Sequence, residues 1–329
     1  MKLLNSIMQK MEFKDLSGIL VIDKPKGINS MQVVEEVKKL LRVKRAGHGG
    51  TLDPIATGML PIFLNEATKV AQIFLEGDKL YEGVMELGIT TDTYDITGEV
   101  IETCDASFIS REEVEKVLPN YIGEIQQYPP PFSAAKHKGR PLYKYARDGL
   151  YITKSPKTVR IYDLKILEMN GKEVRFLLAC SKGTYVRSLV HDIGKRLGCG
   201  AVLKSLTRLK KSVFTLDQAI SLDEVKRLAK EDRASLKKKI IPIEKALEFL
   251  PKVIVNEEFA HKIRNGMRVP TSSFLSWIRF QKLSLSPTEK YIRLTTPKNE
   301  LVAIIENPFI HPTDPYLSYF RVFSSKAKT

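Results

Sequence analysis

Two runs of β-branched and aliphatic residues, 159–167 and 174–180, flank Asn170-Gly171. Asn-Gly between such runs is the strongest short hairpin signal, because both residues tolerate the positive φ of a tight turn. An antiparallel strand pair is therefore expected near the middle of the chain. Further strand-type runs lie at 18–23, stopped by Lys24-Pro25-Lys26-Gly27, and at 81–89. Helical periodicity alternates with them. Val33, Val34, Val37, Leu40 and Leu41 share one stripe of a helix over 31–42. A capping box, Ser110 to Glu113, opens a helix that ends at Pro119. Val186, Leu189, Val190, Ile193 and Leu197 mark a helix from about Thr184 that Gly198 stops, and Ser221 to Glu224 opens a short one reaching Ala229. Mixed elements of this kind predict an α+β fold.

The character of the chain changes near Leu250-Pro251. Short alternating runs follow at 252–255, 291–295, 301–305 and 320–323, separated by turn residues, which predicts a small β-rich domain. At the other end, residues 1–17 read as a flexible extension. Asn5 and Ser6 interrupt the apolar stretch after Lys2, so no export signal is expected, and Met8 or Met11 are alternative starts. The expected organisation is an extension over 1–17, a main body over 18–250, a β-rich domain over 251–323 and a tail over 324–329.

With 329 residues, 43% of them hydrophobic, the chain has enough apolar surface for a proper core. Its 53 Lys+Arg against 38 Asp+Glu leave a charge of +15, which favours a polyanionic partner, either nucleic acid or an anionic membrane surface. No basic amphipathic helix with an aromatic face stands out, which counts against the membrane. The three cysteines, Cys104, Cys180 and Cys199, form no CxxC pair and no metal-ligand spacing, so neither a metal nor a disulfide framework is expected, and the pattern fits a reducing, cytoplasmic location. Residues 136–160 hold eight basic side chains (Lys136, Lys138, Arg140, Lys144, Arg147, Lys154, Lys157, Arg160) against one acid, Asp148, with Tyr143, Tyr145 and Tyr151 among them. Cations neutralise phosphates and rings stack on splayed bases, so this composition suits nucleic acid, while a solvated loop with buried tyrosines fits it equally. Residues 76–115 are acidic.

The most unusual stretch is 47–58, in which four glycines surround one His and one Asp: Gly47-His48-Gly49-Gly50-Thr51-Leu52-Asp53-Pro54-Ile55-Ala56-Thr57-Gly58. Glycines permit positive φ and close approach of the backbone to a ligand. Asp53, preceding a proline, is pushed to an extended conformation. Spacing alone admits two readings of Asp53, a turn-capping acid or a functional carboxylate, and two of His48, a solvated side chain or a contact residue. Arg187 stands in the first turn of its helix, where the macrodipole disfavours a cation, so it is either a surface residue or the partner of a carboxylate. Cys180 closes an apolar strand and should be buried and inert.

The ordered motifs Lys24-Pro25-x-Gly27, Gly47 to Gly58, Lys79-x-Tyr81, Thr91-Asp92-Thr93-x-Asp95-x-x-Gly98 and Cys180-Ser181-Lys182-Gly183-Thr184-Tyr185-x-Arg187 resemble the TruB-type pseudouridine synthases, the bacterial stand-alone enzymes acting on uridine 55 of the tRNA T loop. Pro129-Pro130-x-x-Ser133-Ala134, Gly198-Cys199-Gly200-Ala201 and Leu206-Thr207-Arg208-Leu209 fit as well. The resemblance implies a pseudouridine synthase fold, a central, mainly antiparallel mixed sheet flanked by helices and loops, over 18–250. A mobile basic arm at about 128–158 and a PUA-like RNA-binding domain over 251–323 would accompany it. Residues 272–288 are longer than that domain's pattern and 1–17 depart from it. By the resemblance Asp53 is the catalytic aspartate, Arg187 pairs with it, and Asp95 supports Arg187 from its far side. Tyr81 stacks on the flipped uracil, Tyr185 packs in the same pocket, and Lys24 supports the loop carrying Asp53. His48 wedges into the T loop, and Lys136, Lys138, Arg140, Lys144, Arg147 and Arg208 bind RNA. The reaction needs one carboxylate and no cofactor, and tRNA is the only partner implied for a monomeric protein. A guide-RNA-dependent relative and a non-catalytic tRNA-folding chaperone are the alternatives. The acids of 76–115 would face away from the RNA, apart from Asp95.

Overall fold

A computed structural model describes Phe13 and residues 15–280, 285–286, 288–310 and 313–324. The main body is built from β1 (Gly18–Lys24), α1 (Ser30–Leu41), β2 (Thr57–Leu64), β3 (Lys79–Leu87), β4 (Gly123–Gln127), β5 (Lys157–Asn170), β6 (Glu173–Cys180), α2 (Val186–Leu197), β7 (Ala201–Lys211) and β8 (Ile220–Ser221). These strands form the long path of a mixed sheet in the order β8-β1-β2-β7-β3-β6-β5-β4. All neighbours run antiparallel except β1 with β8 and β2 with β7. The expected α+β class and mainly antiparallel mixed sheet are what forms.

Local chemistry explains the elements. The β5–β6 hairpin pairs Asn170 with Glu173, so its two-residue loop is Gly171-Lys172, one position later than the Asn-Gly signal suggested. Of the Asn-Gly pair, only Gly171 takes a positive φ, 55°. Asn29 caps α1 with a reciprocal box to Gln32, and Ser110 does the same with Glu113 for the helix Arg111–Val117. Gly198 ends α2 in the left-handed conformation. β2 and the short strand Ala46–His48 were not foreseen. Residues 58–64 are buried on both faces of the sheet, so they carry no alternation to read.

One face of the sheet is covered by α1, α2 and the helix Leu222–Glu231, with Val33, Val37, Leu189, Ile193 and Val225 in a shared core. Phe13 joins that core, Leu16 accepts a hydrogen bond from Asn65, and Asp15 pairs with Lys44. Phe13 and residues 15–17 therefore pack on the body instead of forming part of a flexible extension, because Phe13 buries its ring. The rest of that extension, and residues 325–329 of the expected tail, lie outside the described residues.

The opposite face packs Phe63, Phe74 and Phe214, whose ring centroids lie 5.0–6.3 Å apart. Their cluster also takes Tyr291, Leu301, Ile304 and Phe323 from a second sheet. That sheet has the order β9 (Lys252–Ile254), β10 (Tyr291–Thr295), β11 (Leu301–Glu306) and β12 (Tyr319–Val322), matching the four runs expected there. It is not purely β. Helices Glu257–Arg264 and Thr271–Phe280 cover its other face through Ala260, Ile263, Phe274 and Ile278. Three- and four-residue apolar spacings carry them, and Asn256 caps the first. The second helix occupies much of the 272–288 stretch that departs from the pattern.

Phe74 is fully buried against three other rings. Truncating Phe74→Ala should lower stability by about 3–5 kcal/mol. Urea unfolding followed by circular dichroism checks this, with a lower midpoint as the expected outcome.

Candidate active site

Asp53 stands in the loop between the short strand Ala46–His48 and β2, and the carbonyls of Gly50, Thr51, Leu52, Pro54 and Met59 around it are held. Arg208, fully buried on β7, donates to the carbonyls of Gly50 (3.1 Å), Thr51 (3.3 Å) and Met59 (2.8 Å). Ser30, the first residue of α1, donates its hydroxyl to the Leu52 carbonyl (3.1 Å) and accepts from the Leu52 amide (2.8 Å). The Pro54 carbonyl accepts from Gly27 (2.8 Å) and from the ammonium of Lys24 (3.5 Å), which also donates to Pro25 and Ile28. Gly58, at φ 93°, lets β2 pass so close to Arg208 that a Cβ would lie 2.6 Å from its carbonyl oxygen. The loop is thus fixed by three buried polar side chains drawn from β1, α1 and β7.

Arg187, second residue of α2, reaches this loop from the other side. Its Nε donates to Asp53 Oδ2 at 2.9 Å and lies 3.7 Å from Asp95 Oδ2. Nη1 donates to the Thr93 carbonyl and Nη2 to the Phe132 carbonyl, each at 2.8 Å. Asp95 therefore faces the same nitrogen as Asp53 and does not back the guanidinium from its far side. Its Oδ1 accepts from the Thr97 amide (3.0 Å) and the Thr93 hydroxyl (3.1 Å). Arg187 and Asp95 are nearly buried, whereas the Asp53 side chain is 41% exposed, so the only open part of the constellation is the carboxylate. The start of α2 is anchored by Gln127 of β4, which donates to the Tyr185 carbonyl (3.0 Å) and accepts from the Tyr185 amide (2.7 Å).

Tyr81 lies on β3 opposite Arg208, and burial pushes its hydroxyl up to about 12, with the Arg208 guanidinium acting the other way. Tyr185, half-buried near Asp53 and Arg187, is also raised by burial. The Lys24 ammonium is pushed down to about 8 by burial, against the attraction of Asp53. His48 accepts from the Gly50 amide through Nδ1 (3.2 Å), and burial, with Arg208 and Lys211 nearby, lowers its imidazole. The structure thus brings Asp53, Arg187, Asp95, Tyr81, Tyr185, Lys24 and His48 to one place.

The basic residues behave differently. Arg208, expected to meet RNA, has no exposed surface with which to reach a phosphate and serves as an internal brace for the Asp53 loop. Lys204 pairs with Glu86 and Glu173, and Lys182 pairs with Glu76. The arm forms a hairpin, Lys136–His137 with Arg140–Pro141, followed by the helix Leu142–Arg147. Arg140 pairs with Asp148 at the surface (2.5 Å) and lies over the Tyr145 ring, while Lys136, Lys138, Lys144 and Arg147 are exposed without an ion pair among the described residues. Ser30, Gln127 and the buried role of Arg208 escaped the sequence reading, since a lone polar residue at a helix start or in a strand carries no signal of what it will hold. Among the described residues, no helix is long and apolar enough to cross a membrane.

The site contributes to pH-dependent stability. Burial also pushes the Lys211 ammonium down to about 7. A lysine with a lowered folded-state pKa binds fewer protons folded than unfolded, so stability rises with pH above that value. Buried Cys180, raised to about 11, and Tyr81 act oppositely at higher pH. The urea midpoint should therefore rise between about pH 7 and 8.5, and rise less in Lys211→Met. A flat wild-type midpoint across that window would contradict this.

Residues 38–186 match the family model for the N-terminal domain of TruB family pseudouridylate synthases, and residues 187–248 match that for the C-terminal domain of tRNA pseudouridylate synthase B. The tRNA pseudouridine synthase B of Solibacter usitatus is 40% identical over 91% of this chain and 99% of its own length. That of Stutzerimonas stutzeri is 42% identical over 82% and 88%. Among solved structures, the archaeal box H/ACA sRNP Nop10-Cbf5 complex contains a chain that superimposes with a TM-score of 0.69 at 26% identity, covering 95% of this chain and 88% of that one. A Cbf5-Nop10-Gar1 complex gives 0.70 at 28%, covering 96% and 87%. The chain therefore belongs to the TruB family of pseudouridylate synthases.

Proposed function

We propose that this protein isomerises uridine 55 in the T loop of tRNA to pseudouridine, with Asp53 as the essential carboxylate. The observation that carries this reading is the Asp53–Arg187 pair: a half-exposed carboxylate on a loop braced from three sides, held by an arginine whose other nitrogens are already engaged. Pseudouridine formation breaks the N1–C1′ bond, turns the base and rejoins it through C5. One oriented carboxylate beside the ribose and ring suffices, attacking C1′ or C6 or removing the 2′-hydrogen. The guanidinium of Arg187 holds that carboxylate in one orientation.

The target base must leave its stack to reach such a pocket, at a cost of a few kcal/mol. In this reading the rings of Tyr81 and His48 stack on the RNA bases and offset part of that cost. Exposed Lys136, Lys138, Lys144 and Arg147 supply cations for the stem, on an arm whose Phe132 carbonyl touches Arg187. Residues 251–323 act as the PUA-like RNA-binding domain, the protein works as a monomer without an obligate protein partner, and it resides in the cytoplasm. The two Cbf5 neighbours sit in complexes with partner proteins at 26–28% identity, whereas the relatives named tRNA pseudouridine synthase B are about 40% identical, which favours the stand-alone reading over a guide-dependent one.

Purified protein alone should release tritium from [5-³H]uridine in a T-arm stem-loop, and Asp53→Asn should abolish release while RNA binding persists. A requirement for guide RNA, or an active Asp53→Asn, would overturn the reading. Neutralising Lys138, Lys144 and Arg147 together should weaken binding and flatten the dependence of log affinity on log salt by about 2, whereas Arg140→Gln should leave that slope nearly unchanged. An unchanged slope in the triple variant would remove the arm from the interface.

A further inference from the structure

Two lysines beside the site have no anion within ion-pair distance among the described residues; Glu76 and Asp78 act on them only from farther away. Lys211 ends β7 and lies opposite Lys79 of β3 in the strand ladder, two residues along β3 from Tyr81. Lys211 is 2% exposed. Among the described residues neither lysine has an ion-pair or hydrogen-bond partner. The groups around them are otherwise engaged. Lys182 pairs with Glu76, Asp78 accepts from the Tyr162 hydroxyl (2.9 Å), and Arg208 holds backbone carbonyls. Cys180 stands opposite Lys79 as a thiol that burial keeps protonated.

The ammonium of Lys211 ends against the loop, not in the core. Gly50, at φ 125°, would place a Cβ 2.6 Å from Lys211 Nζ, so the absence of a side chain there lets the lysine tip come up beside the His48–Gly50 edge. His48 uses Nδ1 on the Gly50 amide, which leaves its Nε2 hydrogen as a further donor there. A nearly buried, unpartnered ammonium next to Lys79 and Arg208 is unfavourable on its own, and neighbours of like charge add to the effect of burial. Only Glu76 acts in the opposite sense. An arriving anion would complete the arrangement.

We infer that half-buried Lys79, with the buried ammonium of Lys211 behind it, forms an anion seat beside Gly50 that takes one phosphodiester of the RNA strand adjoining the flipped nucleotide. This rests on the RNA-modifying reading above. The seat accounts for a motif residue, Lys79, to which the reaction gives no task. It also places a strand-end lysine at the pocket instead of on a general basic surface. Because the free ammonium of Lys211 titrates near neutrality, occupation of the seat draws a proton from solvent. The charged and titratable groups that face it are Lys79, Asp78, Glu76, Arg208, His48, Lys182 and Cys180.

The test is a set of T-arm stem-loops, each with one T-loop phosphate replaced by a neutral methylphosphonate, bound to wild type, Lys211→Met and Lys79→Met. One position should weaken wild-type binding about tenfold and weaken neither variant further. The salt slope of each variant should fall by about 0.7. At about pH 8, calorimetry in buffers of different ionisation enthalpy should show proton uptake for wild type and less for Lys211→Met. The wild-type scan stands even if a variant fails to fold: a scan without a sensitive position overturns the seat. So does a sensitive position whose effect is as large in both variants as in wild type. Failure of every T-arm to bind wild type would instead overturn the RNA-modifying reading.

Discussion

The contact between Arg187 and Asp53 organises the site. It joins a loop before β2 to the start of α2, 134 positions apart in sequence. Arg187 is buried, and a buried cation with one broken partner costs about 3–5 kcal/mol, so the chain surrounds it with acceptors: two carboxylates and two carbonyls. Those acceptors belong to the Asp53 loop, the Thr93–Asp95 turn and the base of the basic arm. A single guanidinium thus ties the three segments that frame the pocket. The unfavourable placement of a cation in the first turn of a helix is explained by that role.

The loop itself depends on a second set of buried polar groups. Lys24, Ser30 and Arg208 come from three elements of one sheet-and-helix face, and each saturates carbonyls that would otherwise be orphaned. Their burial keeps the carboxylate rigid while leaving it open to solvent. A reactive group held this way does not have to be reorganised when a substrate arrives. The same burial shifts the lysines and Tyr81 from their ordinary titration ranges, so structural bracing and the electrostatics of the pocket have one origin.

The surplus of positive charge divides into distinct populations. Arg208 and Lys211 are internal, Lys204 and Lys182 are balanced by glutamates, and Arg140 is turned onto Asp148 and Tyr145. Among the described residues, Lys136, Lys138, Lys144 and Arg147 on the arm are exposed without an ion pair, as are Lys237, Lys238 and Lys239 on the body. Net charge alone therefore overstated the surface offered to a polyanion, while the location of the unpaired part sharpened it. The second sheet is bound to the body through a continuous aromatic and aliphatic cluster around Phe74 and Tyr291, so it is carried as part of one packed molecule.

Much of this was legible in the residues. Periodicity, capping boxes and Gly198 located α1, α2 and most strands to within a few residues, because those signals act through neighbours in sequence. The Gly47–Gly58 stretch and the odd Arg187 marked both halves of the site. The remainder depended on tertiary structure. Residues 58–64 are buried on both faces and show no period. Phe13 looked like part of a loose end until the core that receives it was assembled. Arg208 and Lys211 carry the same charge as the arm residues, and only packing separates the brace and the buried ammonium from the surface cations. Sequence by itself marked α1, α2, the β5–β6 hairpin and the Asp53 and Arg187 segments, but not β2, β4, β7 or the helices of the second sheet. The tertiary structure decided which of those charges are buried and what they hold, since desolvation and hydrogen bonding arise only where distant parts of the chain meet.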